Sequence, residues 1–165
     1  MPELPEYELL ISPLTKKHLA EVKSVSNLCF QTVYQEEKFV YESIVEVFPD
    51  GAYGAFCDGK LVGYIFFHPY RHSEAKPLNS MLTLNGDENC MYLHEIAVLP
   101  EYRSYHIPTR LLSVFDNVSQ THNLTNQSLV SVQNSVGFWE KKGFSVVSEI
   151  CEGGYKDSYY MEKQL

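Results

Sequence analysis

Tyr92-Leu-His-Glu-Ile-Ala-Val-Leu-Pro-Glu-Tyr-Arg-Ser-Tyr-His-Ile-Pro-Thr-Arg-Leu-Leu112 is the stretch on which the fold turns. Met91 to Leu99 reads as a largely apolar strand, and Pro100 breaks it. Apolar residues at helical spacing then predict a helix from Ile107 to about Thr121, and Ser128 to Val132 is strand-like again. Strand, helix and strand over 91–132 make a βαβ crossover, whose strands should run parallel and whose connection should be right-handed. The helix would begin at the carboxyl end of the first strand. Unpaired N–H groups and the positive end of the helix dipole at that point suit a phosphate or pyrophosphate.

Around this unit the rest of the chain reads as a mixed sheet. Met1 to Tyr7, with Pro2 and Pro5, should precede regular structure, and Glu8 to Ser12 should be a short strand closed by Pro13. Thr15 is the N-cap expected for a helix to about Phe30, and Glu36 to Val47 should be a second helix with Phe39, Val40, Ile44 and Val45 on its apolar side. Ala52 to Cys57 and Leu61 to Phe67 flank Asp58-Gly59-Lys60 and predict a hairpin. Residues 69–90 are polar and should form a long loop. After the crossover come a short helix at Asn134 to Lys142 and strands at Phe144 to Ile150 and Ser158 to Met161. No linker or repeat interrupts the pattern, so residues 1–165 are expected to form one α/β (α+β) domain.

Composition narrows the function. With 165 residues, 44% of them hydrophobic, the chain can bury one good core. A formal charge of −8 argues against a nucleic-acid or anionic-membrane partner, because counterion release needs a basic surface. The excess is uneven. Residues 1–89 hold seven Lys and Arg against thirteen Asp and Glu, net −6, while residues 90–165 hold six against eight, net −2. That is a weak argument for a cationic partner on the first half. Cys29, Cys57, Cys90 and Cys151 are scattered and form no CxxC pair, so no metal site is expected and a reduced, cytoplasmic protein is. Leu9-Leu10-Ile11 follows acidic residues, unlike a signal peptide.

The quoted stretch resembles the GNAT superfamily of acyl-CoA-dependent N-acyltransferases. Ile96 to Arg103 and Thr109 to Leu112 match the family's strand, Pro-Glu-Tyr-Arg turn and apolar helix. Asn134-Ser-Val-Gly-Phe-Trp-Glu-Lys-Lys-Gly-Phe144 is similar to the family's downstream Asn … Phe-Tyr-Glu-Lys-x-Gly-Phe element, with shortened spacing. The resemblance implies a mixed central sheet with helices on both faces and a splayed parallel strand pair. It also implies that acetyl-CoA is the acyl donor, with the backbone of Ile96, Ala97 and Val98 holding the pantetheine arm. Arg103, Ser104, Tyr105, His106, Ile107, Pro108 and Thr109 would then face the pyrophosphate, with Asn134 and Trp139 along the cofactor path. Two glycines of the family's phosphate loop are replaced by His106 and Pro108. Proline withholds one N–H donor, though it suits the first turn of a helix sterically. His106 could replace the interaction when protonated, or be an ordinary surface histidine. Asn134 has an alternative reading as the N-cap of the short helix, and Trp139 as packing for the cofactor tunnel.

Acetyl transfer to an amine needs a base that works near neutral pH. Strict alternation puts Tyr92, His94, Ile96 and Val98 on one face of the strand, with Leu93, Glu95 and Ala97 on the other. His94 therefore shares a face with residues leading to the cofactor. Tyr92-x-His94 is also similar to the His-x-His of the arylalkylamine N-acetyltransferase branch. Glu95 is the rival base, and a β-bulge would reverse which of the two faces the substrate. The family's acid, a Tyr, is Trp139 here; Tyr155, Tyr159 and Tyr160 are substitutes among which the sequence does not choose. Tyr53, Tyr64, Phe66 and Phe67 read mainly as sheet core, His68 and His72 as surface loop, and Cys90 as an unactivated thiol. The expected activity is acetyl transfer from acetyl-CoA to a primary amine, favouring a small amine, with a protein amine and a homodimer left open. The alternative is a GNAT-fold binding module whose altered loop and missing Tyr have weakened or abolished catalysis.

Overall fold

The computed structural model describes residues 8–165, so the expectation for Met1 to Tyr7 lies outside the described residues. Strands β1 (Leu9–Pro13), β2 (Ala52–Cys57), β3 (Lys60–Tyr70), β4 (Cys90–Val98), β5 (Asn126–Ser131), β6 (Ser145–Ile150) and β7 (Ser158–Gln164) form one mixed sheet in the order β1-β2-β3-β4-β5-β7-β6. Four helices accompany it among the described residues: α1 (Leu19–Cys29), α2 (Lys38–Val47), α3 (Ile107–Thr121) and α4 (Val136–Lys141).

Local chemistry explains most boundaries. Asp58 and Gly59 both have positive φ, 53° and 80°, as a two-residue hairpin turn between β2 and β3 requires. Pro13 does not close β1 but belongs to it, opposite Tyr53; β1 is an edge strand, where a missing N–H is tolerated. Thr15 donates its backbone N–H to His18 Nδ1 at 3.0 Å and opens a single 3-10 turn that leads into α1. Glu36 lies outside α2, which starts only at Lys38 with Glu37 as its N-cap.

Both faces of the sheet are covered. On one, Tyr41 of α2 packs on Tyr64 and Phe66 of β3, with ring centroids 6.3 and 5.0 Å away. On the other, Phe115 of α3 sits 5.1 Å from Phe67. Two irregularities in β4 position the site. Its parallel pairing with β5 covers only Met91–Gln127, Tyr92–Ser128 and Leu93–Leu129, so His94 to Val98 continue without a β5 partner. The strands therefore diverge. On the β3 side, Phe66 pairs with Glu95 but Phe67 pairs with Leu93, which leaves His94 as the extra residue of a β-bulge. Residues 71–89 are irregular, as expected, but they are not merely a surface excursion: Lys76 and Leu82 are buried, and Leu78 N–H donates to Gly153 O at 2.8 Å.

Candidate active site

The bulge overturns the alternation expected for β4. His94 and Glu95 do not point to opposite faces. Both side chains lie on the α2 face, where Glu95 Oε2 accepts hydrogen bonds from Tyr64 and from Tyr41 (2.8 Å). His94 Nε2 lies 2.7 Å from Glu36 Oε1. Leu93, paired with Phe67, faces α3 instead. One inserted residue thus gathers two proton-transfer groups that a regular strand would separate.

Burial sets the electrostatics of this cluster. The side chains of His94 and Glu36 are 2% and 1% exposed. Burial, then the negative charge of Glu36, push the Glu95 carboxyl up to about 7, although His94 and the two tyrosine hydroxyls pull it down. Burial acts on Glu36 in the same sense, but His94, the Asn79 N–H and Lys76 outweigh it and hold Glu36 below the ordinary carboxylate range. Lys76, bonded to Ser80 through its ammonium, is lowered to about 8 by burial against the opposing pull of Glu36. Burial and His94 push His68 well below the ordinary imidazole value. His68 is therefore no surface-loop residue. It is fully buried in β3, its ring 5.4 Å from Tyr92 and 5.9 Å from His94. His72 is on the exposed loop, paired with Glu162.

The donor atoms of Glu36, His94 and Glu95 lie within 4.8 Å of one another. Their separation does not suit a zinc ion. His94 Nε2 and Glu36 Oε1 are 2.7 Å apart, whereas two ligands of a tetrahedral zinc are roughly 3.3 Å apart. The pair is in ion-pair contact.

A cavity of about 440 Å³ opens where β4 and β5 diverge. His94 to Val98, Glu36, Arg103, Pro108, Trp139 and Tyr155 all contribute to its wall. Because the side chain of His94 is buried while the residue as a whole is partly exposed, its exposure is main chain. An unpaired strand edge of this kind can hydrogen-bond an extended, amide-bearing chain. Two contacts close the end of that edge: Val98 O accepts from Arg103 Nε at 2.9 Å and lies 3.5 Å from Cys29 Sγ. Arg103 is thereby held against the strand end while the residue remains exposed.

Beyond the cavity the chain turns into α3. His106 adopts φ 59°, ψ 19°, a left-handed conformation that glycine takes without steric cost. Pro108 occupies the first turn of α3 and withholds a donor there. Ser104, His106 and Thr109 are exposed and Tyr105 is partly so, whereas Ile107 is fully buried core.

The structure brings His94, Glu95, Ile96, Ala97, Val98, Arg103, Pro108, Trp139 and Tyr155 to one cavity. Asn134 is elsewhere: it lines a separate cleft with Ser131, Val136, Val146, Asp157 and Tyr159, and Ser135 rather than Asn134 is the N-cap of α4. Among the three candidate tyrosines only Tyr155 reaches the main cavity. Its hydroxyl donates to Lys76 O at 2.8 Å, lies 3.5 Å from that of Tyr92, and is held well above the usual phenol value by burial and by Tyr92. Tyr160 instead accepts the Ser73 N–H at 2.8 Å. The thiol of Cys90 is raised by burial, as an unactivated cysteine should be. Glu36, Tyr41 and Lys76 were not legible as site residues, since each reads locally as helix start, helix face or loop.

The sequence profile described as the acetyltransferase (GNAT) family matches residues 19–144. No protein of curated function matches the chain in sequence. Among solved structures, the NatC complex bound to Gag peptide and CoA superposes with TM-score 0.74 at 18% identity, over 96% of this chain and 99% of that one. The loading GNATL domain of CurA from Lyngbya majuscula gives 0.79 at 11% identity, over 95% and 98%. Arabidopsis thaliana Naa50 in complex with the bisubstrate analogue CoA-Ac-MVNAL gives 0.71 at 18% identity, over 95% and 99%. At these identities the likeness is one of fold.

Proposed function

Because the chain belongs to the GNAT family of acetyltransferases, we propose that it transfers an acetyl group from acetyl-CoA directly to a primary amine, with a small amine as the preferred acceptor. The observation that carries this reading is the bulge at His94, which sets His94 and Glu95 side by side in the wall of the cavity between β4 and β5. The pantetheine arm would lie along the unpaired edge of Ile96 and Ala97, and its pyrophosphate near the start of α3. A neutral amine attacks the thioester carbon; the C–N bond forms, the C–S bond breaks and the thiolate leaves. His94 takes the proton the nitrogen sheds. A second assignment of the base, Glu95, is supported by its carboxyl standing at about 7, a value suited to proton transfer near neutrality.

Three loops favour a small acceptor. Tyr34 OH donates to Lys156 O at 2.6 Å, Leu78 N–H to Gly153 O at 2.8 Å and Tyr155 OH to Lys76 O at 2.8 Å. These bonds tie residues 31–37, 71–89 and 151–157 together at the end of the cavity that holds Glu36, and a bulky acceptor would have to break them. The buried carboxylates and the acidic first half of the chain favour a cation.

Calorimetric titration with acetyl-CoA and thiol release with a panel of arylalkylamines, polyamines and short peptides test the reading. Saturable binding and turnover of small amines are expected. Absence of saturable binding at high micromolar acetyl-CoA would overturn it. His106, Pro108 and Trp139 favour a second reading, a binding module with weakened catalysis. Restoring glycine at 106 and 108 separates the two: a large gain in turnover indicates a decayed enzyme, and unchanged turnover an adapted one.

A further inference from the structure

We propose that Glu36 is a positioning residue for the transfer: it holds the imidazole of His94 through Nε2 and leaves Nδ1 as the atom that exchanges the acceptor's proton. This rests on His94 as the base. Glu36 stands just before α2, 58 positions from His94 in the chain, and meets it only because the bulge turns His94 towards that face.

The carboxylate is itself clamped. Its Oε2 accepts the Asn79 N–H at 2.9 Å, while Asn79 Oδ1 accepts the Glu37 N–H at 2.9 Å. This reciprocal pair fixes the carboxylate plane and leaves Oε1 facing Nε2 at 2.7 Å. The contact is close in distance, but Nε2 makes no hydrogen bond of good geometry, so it is an ion-pair contact. His94 Nδ1 is buried with no protein partner. A buried nitrogen without a partner is costly unless water or a ligand serves it. With Nε2–H turned to Glu36, Nδ1 keeps its lone pair for the proton shed by the amine, relayed through water because the nitrogen itself is buried. That proton then passes to the departing thiolate, which completes the exchange of an N–H and a C–S bond for a C–N and an S–H bond. The other titratable groups around the cluster are Tyr41 of α2, Tyr64 and His68 of β3, Lys76 of the 71–89 loop, Tyr92 of β4, and Tyr155. Glu95 also lies within 4.8 Å of the imidazole, but among the described residues Glu36 is the carboxylate in ion-pair contact with it.

The test compares wild type, Glu36→Gln, Glu36→Asp and His94→Gln with acetyl-CoA and phenethylamine, alongside nitrogen-15 NMR of the histidine rings. Glu36→Gln keeps an oxygen for the Asn79 N–H, so the fold is expected to survive. Turnover should fall about tenfold to a hundredfold with acetyl-CoA affinity unchanged. The His94 signals should change from a protonated Nε2 towards a protonated Nδ1. Glu36→Asp should restore part of the turnover. Unchanged His94 signals and turnover in Glu36→Gln would overturn the proposal while leaving His94 as base. Full turnover in His94→Gln would instead remove the base assignment on which it rests. The NMR arm reads the pairing even where phenethylamine is a poor acceptor.

Discussion

The two ends of the β4 cleft are built on different principles. At the acid–base end every group is buried and held by partners from distant segments: Glu95 by Tyr41 and Tyr64, Glu36 by Asn79, Tyr155 by Lys76. At the α3 end the chain is exposed, His106 sits in a left-handed conformation and Pro108 withholds a donor. Geometry at the first end comes from tertiary packing, and at the second, where the pyrophosphate is proposed to lie, it comes from local backbone. Substitutions at the first should therefore change the chemistry, and those at the second should change affinity.

The largest effect is expected at the bulge. His94→Ala and Glu95→Gln should each lower kcat about 10²- to 10⁴-fold if the residue is the base, while acetyl-CoA affinity stays near that of wild type. Steady-state kinetics with calorimetry would expose a loss of affinity instead, and with it break the contrast between the two ends.

Stability should depend on pH through the same residue. The folded Glu95 carboxyl, at about 7, lies above its ordinary value of 4.5. The folded protein then holds this proton more tightly than the unfolded chain, so the Glu95 contribution to stability falls as pH rises from about 4.5 to about 7. His68, held below 6.5, acts in the opposite sense, gaining stability as pH rises towards 6.5. Comparing Glu95→Gln with wild type by urea denaturation at pH 5 and pH 8 isolates the first contribution. The variant should gain up to about 3 kcal/mol relative to wild type at the higher pH. Tyr64→Phe removes a donor to the Glu95 carboxylate, so it should move Glu95 further up and shift any rate limb that Glu95 controls to higher pH.

At the other end the changes should be smaller. Pro108→Ala restores one backbone donor and should tighten acetyl-CoA binding by about tenfold, read by calorimetry with kcat little altered. His106→Gly relieves the left-handed strain and should stabilise the fold by about 1 kcal/mol in urea denaturation. The smallest effect is expected at Asn134, which lines a different cleft. Asn134→Ala should leave acetyl-CoA affinity within about twofold; with φ 59°, it should cost only about 1 kcal/mol of stability. A clear loss of affinity would place Asn134 on the cofactor path after all.

Most of the fold was legible because it rests on local pattern. The range read for α3, Ile107 to Thr121, matches the structure, and the hairpin turn at Asp58-Gly59 follows from what positive φ demands. Boundaries slipped where a partner strand extended an element, as in β3, which runs to Tyr70 against Cys90, and β7, which continues to Gln164 against Asn126. The site was half legible. His94 and Glu95 stood out by residue type, but their relative placement was read from strict alternation. His68, flanked by polar residues and Pro69, reads as loop and is in fact core.

By itself the sequence determined the βαβ crossover and the start of α3, since each follows from hydrophobic period, helix ends and residue type within a short window. Only the tertiary structure decided that His94 and Glu95 lie on one face and that Glu36 joins them. A bulge is a mismatch between two strands, invisible in either alone, and a carboxylate 58 positions away becomes a neighbour only when β3, β4 and the segment before α2 pack together.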